Sequence, residues 1–121
     1  MRGKPQDIHK RIYNLVIRVV TFTKKIPKTQ QNLVLITQVV KSVTSMGAND
    51  READVAESRK DFIAKYSIVK KETNETIYWL EVIKDINHSN NIQDEARELI
   101  SEGLEILKII TTIIINTKRK Q

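Results

Sequence analysis

The chain has 121 residues, which is enough for one domain with a hydrophobic core and too few for two. It contains no cysteine, and this excludes disulfides, thiol nucleophiles and zinc–thiolate sites. The net charge of +6 is unevenly distributed, because residues 1–41 carry nine Lys/Arg and one acid, whereas residues 42–102 carry eight Lys/Arg and thirteen acids. A basic N-terminal third of this kind can bind phosphates or the acidic segments of a partner.

The first half of the chain is predicted to form two helices. Apolar residues recur at steps of four and three from Ile8 to Ile26, which predicts a helix over residues 7–25 that ends before Pro27. A second helix is predicted over residues 29–52. Its buried side is expected to consist of Leu33, Ile36, Val40, Val43 and Gly47.

Two further helices are predicted over residues 58–86 and 91–117, with Ser58 as the N-terminal cap of the third. The buried side of the third is expected to consist of Phe62, Tyr66, Val69, Thr73, Thr76, Leu80 and Ile83. That of the fourth is expected to consist of Ile92, Ala96, Leu99, Gly103, Ile106, Ile110 and Ile113.

Four helices with short connections predict an all-α, antiparallel up-down-up-down four-helix bundle. The bundle is expected to occupy the whole chain as one domain, with a flexible N-terminus at residues 1–6 and a disordered basic tail at residues 118–121. No N-terminal segment resembles a signal peptide and no apolar segment is long enough to cross a membrane, so we expect a cytoplasmic protein without a membrane partner.

The first and fourth helices carry more apolar residues than one buried side requires. A second stripe, which we call the apolar stripe, consists of Tyr13, Val16, Ile17 and Val20 on the first helix and Ile100, Leu104, Leu107 and Ile114 on the fourth. A wide core face is one interpretation of this stripe. The other, which we adopt as the prediction, is a contact between subunits of a homo-oligomer.

The sequence does not predict an enzyme, a metal site or a cofactor. His9 and His88 have no neighbours at metal-ligand spacing, and both are interpreted as surface residues. The acidic run from Asp50 to Asp61 lacks the glycine and ligand spacing of a calcium loop, so a solvated acidic turn is predicted. No Gly-rich phosphate loop and no nucleophile–base pair is present.

The most informative charges lie on the first helix. We define the helix-one face as Lys10, Arg11, Arg18, Lys24, Lys25 and Lys28. A solvated charged face is one interpretation, and phosphate binding is the other. No aromatic residue alternates with these cations, so stacking of single-stranded bases is not indicated.

Several polar residues in the second and third helices carry a family resemblance. The residues concerned are the segment Ser45–Ala53, then Ser58 with Asp61-Phe62, and then Glu72, Glu75 and Tyr78. They resemble the corresponding residues in a family of bacterial four-helix-bundle proteins encoded by intervening sequences in large-subunit ribosomal RNA. That family includes the accessory variability protein of diversity-generating retroelements. The signature positions are Ser45, Asn49, Glu52, Ser58, Asp61, Glu72, Glu75 and Tyr78, and the resemblance covers about residues 8–116. Asp50 departs from the apolar or aromatic residue that is usual there.

The resemblance implies a bundle that assembles into a ring, usually a pentamer, and signature residues that act as polar ties rather than catalysts. For the retroelement member it implies nucleic-acid binding in partnership with a reverse transcriptase. Together with the helix-one face, this predicts a non-enzymatic, oligomeric accessory protein that binds RNA or an RNA–DNA intermediate. The alternative is a protein–protein scaffold ring whose basic face docks acidic partners.

Overall fold

The computed structural model describes residues 7–120, which form four α-helices: α1 (Ile8–Thr23), α2 (Gln30–Ala53), α3 (Arg59–Ile86) and α4 (Asn90–Arg119). No strand occurs in this part of the chain. Helices that are consecutive in sequence pack side by side, and α1 also packs against α4, which closes the square of an up-down-up-down bundle. The predicted fold class is therefore confirmed, and each helix boundary lies within two residues of its prediction.

Side-chain caps begin three of the four helices, with Asp7 as the cap of α1, Thr29 as that of α2 and Ser58 as that of α3. The Ser58 hydroxyl accepts a hydrogen bond from the backbone N–H of Asp61 at 3.0 Å, so Ser58 is the N-cap of α3 as predicted. Thr29 caps α2 in the same way. In a capping box, the Asp61 carboxylate would accept a hydrogen bond from the backbone N–H of Ser58. It accepts one from the backbone N–H of Glu57 instead, so the capping box is incomplete.

The buried sides of α1, α3 and most of α4 agree with the predicted ones, but that of α2 is rotated by one residue. Leu33 is 49% exposed, whereas Asn32 is 2% exposed. The core side of α2 consists of Asn32, Leu35, Val39, Ser42, Val43, Met46, Asp50 and Ala53. The prediction was wrong because three polar residues lie on this side, each with a hydrogen-bond partner that makes its burial possible.

The end of α4 also differs from the prediction. Ile114, which the sequence assigned to the apolar stripe, is buried in the core at 7% exposure, and Ile113 is only half-buried beside it. The helix continues to Arg119, so the predicted disordered tail is wrong for residues 118 and 119. Residues 1–6 and 121, which include the rest of that tail and the predicted flexible N-terminus, lie outside the described residues.

Two glycines permit close helix contacts. A Cβ at Gly47 of α2 would lie 2.9 Å from Cγ2 of Val16, and a Cβ at Gly103 of α4 would lie 3.0 Å from Cγ1 of Ile77. The close contact at Gly47 is thus made by a side chain of α1. This contact fixes how α1, which carries the candidate site, lies on α2.

Candidate nucleic-acid interface

The six cations of the helix-one face lie on one side of the α1 region but differ in their surroundings. Helical geometry places residues 10, 11, 18, 24 and 25 within less than half of the helix circumference. Lys10, Arg18, Lys24 and Lys25 are exposed, whereas Arg11 is half-buried.

Arg11 is engaged inside the protein. Its Nε and one Nη donate to the carboxylate of Glu102 at 2.9 and 2.6 Å, and the same Nη donates to Glu105 at 2.9 Å. Hydrogen bonding to Glu102, and next to Glu105, raises the pKa of the Arg11 guanidinium. This bidentate arrangement joins α1 to α4, and Arg11 is a structural residue in the protomer.

Two more cations of the helix-one face have partners on α4. Lys25 Nζ lies 2.6 Å from the Glu95 carboxylate, and Arg18 lies 3.7 Å from that of Glu98. Sequence analysis treated this face as almost free of acids because it counted only neighbours along the chain. The structure corrects this view, since α4 brings a row of glutamates against α1.

The remaining three cations fall into two groups. Lys28 Nζ donates to the backbone carbonyls of Thr23 and Ile26, at 3.0 and 2.6 Å, and so closes the C-terminal end of α1. Lys10 and Lys24 make no ion pair within residues 7–120. The helix-one face therefore offers two unpaired cations and two in exposed ion pairs.

The apolar stripe divides into exposed and packed residues. Tyr13, Ile17 and Leu104 are 55%, 49% and 46% exposed. Four others are half-buried, and three of these pack against the core. The half-buried residues are Val16, Val20, Ile100 and Leu107. Only the exposed three present an apolar surface to a possible second subunit.

Signature residues line a groove between α2 and α3. The Ser45 hydroxyl donates to Glu72 Oε2 at 3.1 Å, and the groove of about 250 Å³ is completed by residues that include Glu75 and Trp79. Burial raises the pKa of Glu72, the adjacent Glu75 carboxyl raises it further, and the Ser45 hydroxyl opposes both. These residues form a polar tie between the two helices, as the resemblance implied.

The other signature positions are less uniform. Asn49 donates to the backbone carbonyl of Ser45 at 2.9 Å, so its side chain bonds within α2 and does not join α2 to α3. Glu52 lies 3.5 Å from Lys65 of α3. Tyr78 is exposed and contacts the ring of Trp79 edge-on.

Sequence reasoning missed a charged cluster at the start of α1. His9 Nδ1 lies 2.9 Å from Asp50 Oδ1, and His9 Nε2 lies 3.3 Å from Asp54. The Tyr66 hydroxyl donates to the buried carboxylate of Asp50 at 2.6 Å. His9 is thus no plain surface residue, and Asp50 is no part of a solvated turn. Its helical spacing from Val43 and Met46 is the sequence signal that places Asp50 on the core side.

The same cluster borders a cleft of about 290 Å³ between α1 and α2. Burial alone would lower the pKa of His9, but the bond to Asp50 and the charges of Asp50, Asp54 and Asp7 together raise it above 6.5. Burial raises the pKa of the Tyr66 phenol, and its bond to Asp50 adds to this. The His9 imidazole, the Asp50 carboxylate and the Tyr66 phenol therefore hold the first turn of α1 in place.

Within residues 7–120, no group of His, Cys, Asp or Glu side chains has an arrangement that would hold a metal ion. None of the four helices in this part of the chain combines the length and apolar character needed to cross a membrane.

Comparison with known proteins places this bundle in a family. The family model of the 23S rRNA-intervening sequence protein matches residues 4–112. A crystal structure of a protein with unknown function from the S23 ribosomal protein family of Bacteroides thetaiotaomicron has 34% sequence identity and a TM-score of 0.80, and the match covers 89% of this chain and 98% of that one. No curated protein sequence matches significantly. The family match spans most of the sequence, so this chain belongs to the 23S rRNA-intervening sequence protein family.

Proposed function

We propose that this protein is a non-enzymatic, oligomeric accessory protein that binds RNA or an RNA–DNA intermediate. The observation that carries the proposal is the helix-one face, where Lys10 and Arg18 are exposed on α1 and Lys24 and Lys25 are exposed directly after its C-terminus. Exposed ion pairs are worth at most about 1 kcal/mol, so phosphates can displace the carboxylates that now face Arg18 and Lys25.

Family membership supports RNA as the ligand, because the family is named for an intervening sequence in ribosomal RNA. The net charge of +6 favours a polyanion over an acidic small molecule. A single protomer supplies few phosphate contacts, so it is expected to bind weakly at physiological salt.

Assembly into an oligomer would increase the affinity for nucleic acid. We propose that the subunits form a ring, a pentamer by the family resemblance, in which the exposed residues Tyr13, Ile17 and Leu104 contribute to the contact. A ring repeats the basic face of each subunit, and linked weak sites gain affinity through effective concentration. The resemblance to the retroelement accessory protein suggests a reverse transcriptase as an enzymatic partner.

A salt titration of binding to an RNA hairpin and to an RNA–DNA hybrid tests this function. Neutralising Lys10, Arg18 and Lys24 to Gln should weaken binding and make it less dependent on salt. Lys25 and Arg11 are left intact because Glu95 and Glu102 would otherwise face no cation, which would destabilise the fold.

The decisive outcome concerns the wild-type protein. If it binds neither probe at about 50 mM salt, where phosphate contacts are strong, the proposed function is wrong. The protein–protein scaffold, in which the basic surface docks acidic partners, would then be the better explanation.

A further inference from the structure

The first half of α3 and the second half of α4 are strongly basic segments. Residues 59–71 carry five Lys/Arg and one acid, and residues 106–120 carry four Lys/Arg and no acid. The average over residues 42–102 is acidic and hides the basic segment at the start of α3. Because α3 and α4 pack side by side in antiparallel orientation, the two basic segments lie next to each other.

Contacts within the protomer locate this surface. The Arg59 guanidinium donates to the backbone carbonyl of Lys120, which joins the start of α3 to the end of α4. Midway along, Lys70 and Lys71 of α3 and Leu107 of α4 line a shared cleft of about 430 Å³. We define the α3–α4 basic surface by its exposed cations, which are Lys60, Lys70, Lys71, Lys108, Lys118 and Arg119.

Helical geometry and the lining of the cleft place Lys60, Lys70, Lys71 and Lys118 along the groove, whereas Lys108 and Arg119 lie about 100° farther around α4. Lys60 is two turns before Ser67, which lines the cleft, so the two lie on the same side of α3. Lys118 is three turns after Leu107 and lies on the same side of α4. The cations extend over roughly 16 Å on each helix, at 1.5 Å per residue.

This surface has less charge compensation than the helix-one face, although the charge of Lys71 acts on the neighbouring Glu72. None of its six cations makes an ion pair or a side-chain hydrogen bond within residues 7–120. The nearby acids are directed elsewhere. Asp61 accepts a bond in the α2–α3 turn, Glu72 accepts one from α2, and Glu105 is bound by Arg11 of α1.

We propose that the α3–α4 basic surface is the principal phosphate-binding surface of this protein, and that the backbone of a nucleic acid lies along the groove between the two helices. The proposal rests on the proposed function for the class of ligand and adds the surface that binds it. A straight strip two helices wide fits a linear polyanion better than a single phosphate group. The surface also has six unpaired cations, whereas the helix-one face has two. Each cation that neutralises a phosphate releases a counterion and thereby increases the affinity for nucleic acid.

A matched pair of variants tests this assignment. One neutralises Lys70, Lys71 and Lys108 to Gln, and the other neutralises Lys10, Arg18 and Lys24 to Gln. Each removes three positive charges, and the helix-one variant also removes the exposed ion pair between Arg18 and Glu98. All six side chains are exposed, and circular dichroism and thermal melting would verify that both variants remain folded.

The variant of the α3–α4 basic surface should bind an RNA hairpin about 10- to 100-fold more weakly than wild type at about 50 mM salt. Its slope of log K against log salt should fall by about two to three, as expected for lost phosphate contacts. The helix-one variant should lose less in both measurements.

The possible failures can be told apart. If wild type binds and the Lys70/Lys71/Lys108 variant binds as well as it does, this surface is not the site, although the proposed function stands. If wild type does not bind RNA at low salt, the proposed function fails and this inference fails with it. Binding only to vesicles that contain phosphatidylserine would overturn both and indicate a membrane surface as the partner.

Discussion

His9 Nδ1 lies 2.9 Å from the carboxylate of Asp50, a residue 41 positions away in the chain. The other ring nitrogen of His9 faces Asp54 at 3.3 Å. Because a carboxylate lies close to each ring nitrogen, this geometry favours the protonated ring. The buried Asp50 also accepts the Tyr66 hydroxyl, so one carboxylate joins α1, α2 and α3.

We predict that this cluster makes stability depend on pH. The folded-state pKa of His9 is raised above the ordinary value of 6.5. Its stabilising contribution is therefore fully present below about pH 6.5 and is lost as the pH rises through the folded pKa. The effect should be below about 1 kcal/mol because His9 is partly exposed and screened. Urea unfolding at pH 6 and pH 8 would measure it.

A control isolates the histidine responsible. In a His88→Gln background, His9 is the remaining histidine, and His9→Gln should then abolish the difference between the two pH values. Nuclear magnetic resonance titration should also show a lower His9 midpoint in Asp50→Asn. An unchanged midpoint in that variant would mean that Asp50 does not hold the imidazolium.

The contact between Gly47 and Val16 gives a second prediction. Gly47→Ala should gain about 1 kcal/mol of helix propensity, but the new Cβ would lie 2.9 Å from Val16 Cγ2. A β-branched side chain in a helix has little rotamer freedom, so α1 must shift. We expect net destabilisation by about 1 kcal/mol in urea unfolding.

Val16→Ala provides the matched background. With that methyl group removed, Gly47→Ala should become neutral or stabilising, because only the propensity gain remains. If Gly47→Ala changes the free energy of unfolding equally in both backgrounds, the two residues are not coupled.

Asn32 gives a third prediction, because its amide pairs with that of Asn87 through two hydrogen bonds, at 2.9 and 3.0 Å. Its Nδ2 also donates to the carbonyl of Pro27. Asn32→Ala should destabilise the protein by about 2 kcal/mol, since buried polar groups lose their partners. The exposed Asn116→Ala should change stability by less than about 0.5 kcal/mol. Equal effects of the two variants in urea unfolding would show that the amide pair contributes little.

Three of the four buried helix sides could be predicted from the spacing because apolar residues dominate them, although Thr73 and Thr76 are also buried on α3. In α2 the pattern failed, since Asn32 and Ser42 are buried and satisfied by Asn87 and Thr76 from α3 and its C-cap. A sequence shows polarity but not the distant partner that compensates for it. Ile114 was misassigned because consecutive isoleucines at the end of α4 leave the side of the helix ambiguous.

The ion pairs of the protein also could not be predicted from the sequence. The basic character of α1 was evident in the sequence, but Glu95, Glu98 and Glu102 approach it only when α4 packs alongside. In the structure, the largest group of unpaired cations therefore lies on α3 and α4. Local sequence reports which charges a helix carries, whereas the partner that neutralises them depends on the fold.

The final prediction concerns assembly. Tyr13 and Ile17 lie one turn apart on α1 and are exposed, whereas Val16 and Val20 pack against the core of their own protomer. Tyr13→Gln with Ile17→Gln should therefore dissociate the oligomer and leave the helical signal unchanged. Val16→Glu with Val20→Glu should instead lower the unfolding midpoint, because charge would enter the contact between α1 and α2. Sedimentation equilibrium with circular dichroism separates the two effects.

The Gln variant adds no charge, so any loss of RNA binding that it causes would reflect lost multivalency. A wild-type protein that sediments as a monomer at micromolar concentration would contradict the proposed ring.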